Sequence, residues 1–348
     1  MPIVTTEHFK SGNLPLSKNG IPQVSEDDYC RLKGYMLETD DIVFSRVGSV
    51  DINAHVEHVQ QGWLFSGRVL RVRPIKSVNS LCLHYVLSTE SVKRDIRNRA
   101  VGQTMPSINT PILSNTGIYM SQSEAEQKKI ADLLSLIDER IATQNKIIED
   151  LKKLKSAIIE KLYSEIQGKE YSYRQLFDVV NERNKQMEYS NILSASQEKG
   201  MINRDDLNLD IQFERSNINT YKIVRAGDYV IHLRSFQGGF AFSDKSGVCS
   251  PAYTILRPNS FLEYSYLSNY FTSQRFIKSL IIVTYGIRDG RSINVDEWLS
   301  MKITIPSKEH QQYIVKIIGS FDRNIESEEA YTILLSKQKQ YILRKMFI

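Results

Sequence analysis

Arginine, glutamine, serine, threonine and glycine collect on four short stretches of this chain, residue types suited to gripping phosphates and base edges. Arg46, Gly48 and Ser49 follow the apolar run Ile42-Val43-Phe44. Glycine lets backbone come close to a phosphate, and arginine can pair with a phosphate or hold guanine through two hydrogen bonds. A solvated turn with an internal salt bridge would use the same residues. Arg234, Ser235, Gln237, Gly238 and Gly239 follow Asp228-Tyr229-Val230-Ile231 in the same manner, and glutamine suits adenine. Gln103, Thr104 and Ser107 form a third set, with Arg288, Arg291 and Ser292 as a fourth. Their hydroxyls can bond phosphate oxygens or base edges, although Ser107-Ile108-Asn109 also reads as a structural cap. The basic run Lys93, Arg94, Arg97 and Arg99 suits electrostatic steering of DNA, or equally an exposed helix face.

Chemistry of other kinds finds less support. His55 and His58 stand three apart in a strand-and-loop region, unlike the helical HExxH arrangement that binds zinc. Cys30, Cys82 and Cys249 are scattered and form no CxxC pair, so neither a disulfide framework nor a zinc site is expected, and a reducing cytoplasm fits. No GxxxxGK[ST] phosphate loop occurs, and no glycine-rich cofactor loop is joined to a polar–Pro–Pro–aromatic motif. ATP hydrolysis and methyl transfer by this chain itself are therefore not expected, nor is a metal-dependent nuclease. Forty-five Lys and Arg against 40 Asp and Glu leave a net charge of +5, which permits a nucleic-acid partner without demanding one. The start, MPIVTTEHFKSGNLPL, lacks a basic-then-apolar signal pattern, and no apolar run reaches membrane-spanning length.

The elements that must position these loops come in a repeated order. Ile42-Val43-Phe44 reads as a buried strand, Trp63-Leu64-Phe65 and Val69 to Arg73 as further strands, and Leu81 to Arg99 as a helix. In the second half, Tyr229-Val230-Ile231 and Tyr253 to Arg257 match those strands, Phe261 to Val283 reads as mostly helical, and Ile303-Thr304-Ile305 as a last strand. Tyr171 to Val180 reads as a helix leading into that second half. Between the halves, Ser123 to Ile166 contains no Gly or Pro. Its apolar residues Ile130, Leu134, Ile137, Ile141, Ile148, Leu151, Leu154, Ile158 and Leu162 alternate in steps of three and four, interrupted at Gln144 and slipping in phase near Leu154. Ser123 with Glu126 reads as a capping box. About 40 residues at 1.5 Å each predict a helix of roughly 60 Å. Lys152, Lys153, Lys155 and Lys161 are interleaved with acids on it, which favours intrahelical pairing.

The long helix is written twice. Gln127, Ile130, Asp138, Ile141, Leu151, Lys155 and Lys161 match Gln311, Ile314, Asp322, Ile325, Leu335, Lys339 and Lys345 at one offset of 184. Arg73-Pro74 matches Arg257-Pro258 at the same offset, and Ser107-Ile108-Asn109 matches Ser292-Ile293-Asn294 at 185. A duplicated unit constrains the fold before any local pattern does. Nothing ahead of Met1 answers Tyr171 to Val180, so the first half is expected to be shortened at its start or completed from elsewhere.

With these motifs in order, the chain resembles the specificity subunit of type I restriction–modification systems. EQKKIADLLSLIDERI, DLKKLKSAIIEKLY, IPSKEHQQYIVKIIGSFDRNI, DIVFSRVGS, GQTMPSIN, GDYVIHLRSFQGG and GIRDGRSIN carry the resemblance over nearly the whole length. It implies an α+β fold with two similar target-recognition domains, 1–121 and 168–305. Two long helices, 122–167 and 306–348, would pack as an antiparallel coiled coil with an internal pseudo-twofold. It further implies a non-catalytic reader of double-stranded DNA, each domain taking one half of a bipartite target. The helices would set the spacing and dock two modification (methyltransferase) subunits. S-adenosylmethionine, ATP and Mg would belong to partner subunits, restriction subunits among them, with no cofactor in this chain. Half-sites on one face of DNA recur about every 34 Å, a distance such a helix can span. A coiled-coil adaptor whose paired domains bind protein is the other reading the repeat allows.

Overall fold

Ile42-Val43-Phe44 is apolar without interruption because both faces of that strand are covered. A computed structural model describes residues 1–196, 199–206, 215–232, 239–285 and 292–347. The chain divides into two units, Met1–Lys146 with Glu329–Ile348, and Ile147–Glu328. No helix among the described residues is long and apolar enough to cross a membrane.

The first unit opens with β1 (Ile3–Val4) and α1 (Glu26–Arg31), then β2 (Ile42–Ser45), β3 (Asn53–His55), β4 (Leu64–Phe65) and β5 (Val69–Val72). Antiparallel pairing gives a sheet in the order β3-β2-β5, while β1 lies parallel to β4. Ile42 and Phe44 pack on Leu83, Val86 and Ile96 from α2 (Ser80–Leu87) and α3 (Glu90–Arg99), and Val43 packs with Phe9, Leu37 and Trp63 on the opposite side. A strand buried on both faces has no room for the usual polar alternation. The helix expected over Leu81 to Arg99 is broken at Ser88–Thr89, where the Thr89 hydroxyl donates to the Val86 carbonyl at 2.7 Å. A hydroxyl that competes for backbone carbonyls ends helices readily. The short α4 (Thr110–Ser114) follows.

Behind the sheet, burial pushes the His84 imidazole down to about 3, with its Nδ1 2.7 Å from Asn53 Oδ1. Folded, this histidine binds fewer protons than the unfolded chain at every pH between about 3 and 6.5. Its contribution to stability is therefore complete above about 6.5 and lost as the pH falls. At about 1.4 kcal/mol per pH unit, the first unit should lose roughly 2 kcal/mol between pH 6.5 and 5. Of the two tryptophans, Trp63 is buried in the first unit and Trp298 in the second. Urea melts of a Trp298→Phe chain followed by Trp63 fluorescence measure the slope, and adding His84→Gln should flatten it.

The long helices form as the apolar period predicts: α5 (Glu124–Ser164) starts at Ser123, whose hydroxyl accepts from Glu126 N at 3.4 Å. The Glu126 carboxylate bonds the Ser121 hydroxyl instead of closing the box on Ser123. The second unit then runs through β6 (Lys169–Ser172), α6 (Tyr173–Leu176), β7 (Phe177–Val180), β8 (Leu193–Ser196), β9 (Gly200–Asn203), β10 (Lys222–Val224), β11 (Tyr229–Ile231), β12 (Phe240–Phe242), β13 (Gly247–Cys249) and β14 (Thr254–Pro258). It ends in α7 (Gln274–Ser279), β15 (Thr284–Tyr285), β16 (Ser292–Ile293), α8 (Val295–Ser300), β17 (Lys302–Ile305) and α9 (Lys308–Met346). Its main sheet has the order β12-β11-β14-β7, and β11 is buried on both faces as β2 is.

One expectation fails here, and another holds only over its second half. Tyr171 to Val180 is a strand, one helical turn and a strand, because Lys169–Ser172 pairs with β17 and Phe177–Val180 with β14. Tertiary ladders override a weak local preference, and Phe-Asp-Val-Val suits a strand. Phe261 to Val283 is mostly turns and short helices, with Ser268, Thr272 and Ser279 hydroxyls donating to carbonyls three residues back and Ser273 capping α7.

Within each unit the two long helices run antiparallel. In the first, Ile130 and Leu134 pack with Ile342 and Leu343, and Asp138 pairs with Lys339 at 2.5 Å. In the second, Ile159 and Tyr163 pack with Ile314 and Ile318, and Lys155 pairs with Asp322 at 2.5 Å. The repeated Asp and Lys thus exchange partners between the two copies of the helix. Leu154, expected in the seam, is 50% exposed, and the buried stripe moves to Ile159 and Tyr163. A 3.6-residue helix drifts against a 3.5-residue repeat, so a seam shifts unless the helices supercoil. Tyr85 also donates to Asp138 at 2.9 Å, so a double-mutant cycle on Asp138→Ala and Lys339→Ala should give a coupling of about 0.5–1 kcal/mol in urea melts, despite partial exposure.

Each sheet is braced by the same buried acid. Asp41 receives Arg73 Nε at 2.7 Å and Nη2 at 2.9 Å, and Glu38 N at 2.8 Å. Asp228 receives Arg257 Nε and Nη2, both at 2.9 Å, and Arg225 N at 2.8 Å. This explains why Arg73 recurs as Arg257.

Candidate nucleic-acid interface

In the first unit the end of β2 lies against the stretch that precedes α4. Arg46 N–H donates to the Arg68 carbonyl at 2.9 Å, and the Arg46 carbonyl accepts from Ile108 N at 2.9 Å. Val47 bridges Ser107, and Gly48 N–H donates to the Pro106 carbonyl at 2.8 Å. Two loops far apart in sequence are so brought together, Arg46, Gly48 and Ser49 beside Gln103, Thr104 and Ser107. Five of these six are exposed; Ser107 is half-buried and bonds the Val101 carbonyl through both its hydroxyl, at 3.2 Å, and its N–H, at 2.8 Å. That pairing closes the 102–106 loop, whose tip shows Gln103, Thr104 and Met105. Gly102 begins it with φ +102°, and a Cβ there would stand 2.8 Å from the Met105 carbonyl oxygen, so only glycine fits. Asn109 caps α4 by accepting from Ile112 N at 2.9 Å, as Asn294 caps α8.

The Arg46 guanidinium makes one contact, Nη1 to the Gly67 carbonyl at 3.3 Å. It borders an open hollow of about 370 Å³ lined also by Val47, Val101, Ser107 and Asn109. Arg68, exposed on the neighbouring turn, adds a second cation that the linear pattern does not single out, since it sits between two strands. Arg97 bonds Asp51 at 2.5 Å and also Glu90, and Arg99 bonds Asp95 at 2.8 Å. The basic run is therefore partly taken up by surface ion pairs within the first unit, and the Asp51 link ties α3 to the loop that carries Ser49. Among the described residues no carboxylate pairs with Lys93 or Arg94. His55 bonds Asp40 at 3.1 Å, and His58 opens a short helical turn.

In the second unit the corresponding roots also adjoin. His232 N–H donates to the Gly239 carbonyl at 2.7 Å, closing the β11–β12 connection. Thr284 pairs with Ile293 at the base of the β15–β16 connection, and a Cβ on Gly239 would lie 3.5 Å from Ile293 Cδ1. Arg234, Ser235, Gln237, Gly238, Arg288 and Arg291 lie outside the described residues, and of Ser292 only its place in β16 is described.

Known proteins share this organisation. The model of the type I restriction modification DNA specificity domain matches twice, at residues 1–153 and 168–336. The putative type I restriction enzyme MjaX specificity subunit of Methanocaldococcus jannaschii is 24% identical over 98% of this chain and 85% of its own length. The MjaVIII specificity subunit of the same organism is 25% identical over 82% of this chain and 73% of its own. Among solved structures, a chain from work on complex assembly and conformational transition of the type I R-M system superposes with a TM-score of 0.60 at 14% identity, covering 89% of this chain and 82% of that one. The type I restriction–modification S subunit from M. genitalium gives 0.54 at 15%, covering 90% and 84%. At such identities the superpositions speak to the fold, which they share, while the doubled match speaks to ancestry: this chain belongs to the type I restriction modification DNA specificity family.

Proposed function

We propose that this chain is the non-catalytic DNA-sequence recognition subunit of a type I restriction–modification complex, acting in the cytoplasm. The doubled specificity-domain match, at 1–153 and 168–336, carries the reading. Each domain takes one half of a bipartite double-stranded target through its paired loops. In the first domain Arg46, Gly48, Ser49, Gln103 and Thr104 meet DNA, with Ser107 holding their loop closed. In the second, Arg234, Ser235, Gln237, Gly238, Arg288, Arg291 and Ser292 do the same work with different side chains, as unequal half-sites require. The long helices set the gap and dock two modification subunits. Methyl transfer from S-adenosylmethionine belongs to those subunits, and ATP- and Mg-dependent cleavage to restriction subunits.

Arg46 is the side chain on which the first half-site should depend most. It is exposed and, beyond Gly67, free to leave the protein surface. In the assembled complex, Arg46→Ala should weaken DNA binding about 10- to 100-fold and relax one position of the target, whereas Lys93→Ala with Arg94→Ala should weaken all sequences alike and lower the salt slope. Methylation mapping of DNA modified by the complex reads the outcome directly. A target without two separated halves, or binding insensitive to salt as a protein-binding adaptor would give, would defeat the reading.

A further inference from the structure

Tyr85 makes a contact in the first unit that the second unit lacks. Its ring is buried on α2 against Ala131 and Leu134 of α5. The Tyr85 hydroxyl donates to Asp138 at 2.9 Å, and Lys339 Nζ stands 5.1 Å from the ring centroid. At the 184 offset the second unit keeps the acid and the lysine as Asp322 and Lys155, which still pair at 2.5 Å. Tyr85 itself is answered by Asn269, whose amide donates to Ser268 Oγ at 3.4 Å instead.

An open hollow of about 280 Å³ stands at that place in the second unit. Asn269, Val315, Ile318, Gly319 and Asp322 line it, and they answer Tyr85, Ala131, Leu134, Ser135 and Asp138 one for one. The short Asn269 and the bare Gly319 leave the space, while Tyr266, in place of Cys82, narrows it without closing it. Tyr264 and Phe242 add aromatic walls, with ring centroids 5.2 Å apart. Among the described residues Lys155 is the one donor to Asp322, where Asp138 receives both Lys339 and Tyr85. A carboxylate has about four acceptor sites, so Asp322 keeps some of them for a further donor. Apolar cavities of roughly 150 Å³ already admit benzene.

We propose that this hollow binds a phenol ring from outside the fold, with the phenol hydroxyl donating to Asp322 as Tyr85 donates to Asp138. The ring gains burial against Ile318 and the aromatic walls, a hydrogen bond to a charged acceptor, and the Lys155 ammonium nearby. Each chain holds one such site, because the first unit's own Tyr85 fills the other. A free phenol and a tyrosine side chain share this chemistry, and the size of the opening separates them.

Titration of the 348-residue chain with p-cresol, read by methyl NMR, tests this. Millimolar p-cresol should shift the Val315 and Ile318 methyl signals saturably and leave those of Leu134 in place. Toluene has no hydroxyl and should bind at least about tenfold more weakly, the worth of one hydrogen bond to a charged group. Asn269→Tyr supplies the ring from within and should abolish binding. A Cβ on Gly319 meets only Arg323 Nη1 at 3.6 Å, so Gly319→Leu should fold and block the hollow as well. N-acetyltyrosinamide distinguishes the sources: binding at the same methyls assigns the site to a tyrosine side chain, and its exclusion assigns it to a free phenol. No saturable shift with either compound would overturn the proposal, and so would toluene binding as tightly as p-cresol.

Discussion

Replacing residues 169–305 with the matching stretch of another family member should change the bases read at one half of the DNA target and leave the other half untouched. The stretch is separable because it begins and ends in one ladder: Lys169 pairs with Ile305 and Ser172 with Lys302. Gly168 marks the junction, since a Cβ there would run into the Ile305 carbonyl, and it should be retained in the exchange. The aromatic core of Tyr173, Phe271, Phe276 and Trp298 travels with the graft, apart from its contacts to Ile159, Tyr163, Ile314 and Ile318 on the long helices, which remain. Because α5 and α9 stay in place, the gap between half-sites should stay as well. Methylation mapping of DNA modified by complexes with the parent and grafted chains gives both answers. Concerted change at both halves would break the proposal of one reader per domain.

The second large effect is expected at Asp228. Its carboxylate is buried and receives Arg257 through two hydrogen bonds and the Arg225 amide through a third. Asp228→Ala removes all three hydrogen bonds at once and leaves a partly buried guanidinium without its counter-charge. Breaking such a pair from one side costs about 3–5 kcal/mol, far more than an exposed pair is worth. Arg257 keeps some solvent access, which places the expectation near about 3 kcal/mol. In a Trp63→Phe background, Trp298 fluorescence in urea follows the second unit alone. Asp228→Ala with Arg257→Ala should recover part of the loss, since the stranded charge is gone. A loss below about 1 kcal/mol would mean that the pair is not a brace for the β11–β14 strands.

These two expectations differ in how much of them the linear pattern carries. Arg73-Pro74 and Arg257-Pro258 stand out as a repeat, yet nothing in the sequence says that their partners are Asp41 and Asp228. The matched Asp138 and Asp322, Lys155 and Lys339 are equally visible as identities. That each Asp meets the lysine of the other copy follows only from helices that run antiparallel within each unit. Tyr171 to Val180 was misleading for a related reason. Its strands exist because β14 and β17 accept them, and a local window contains neither partner. Phe261 to Val283 reads as mostly helical, but its serines and threonine bond nearby carbonyls and divide the helical part into short pieces.

The sequence by itself determined the duplication, the two long helices, the doubly buried strands and the residue types on the loops. Those properties are written in identity at fixed offset and in period, which need no partner to be legible. Tertiary structure alone decided that Arg46 to Ser49 lie beside the 102–107 loop, that Ser107 holds that loop shut, and that Arg97 is drawn into an internal pair. Each depends on hydrogen bonds or charges between segments distant along the chain, and such contacts are set by how layers stack rather than by neighbouring residues.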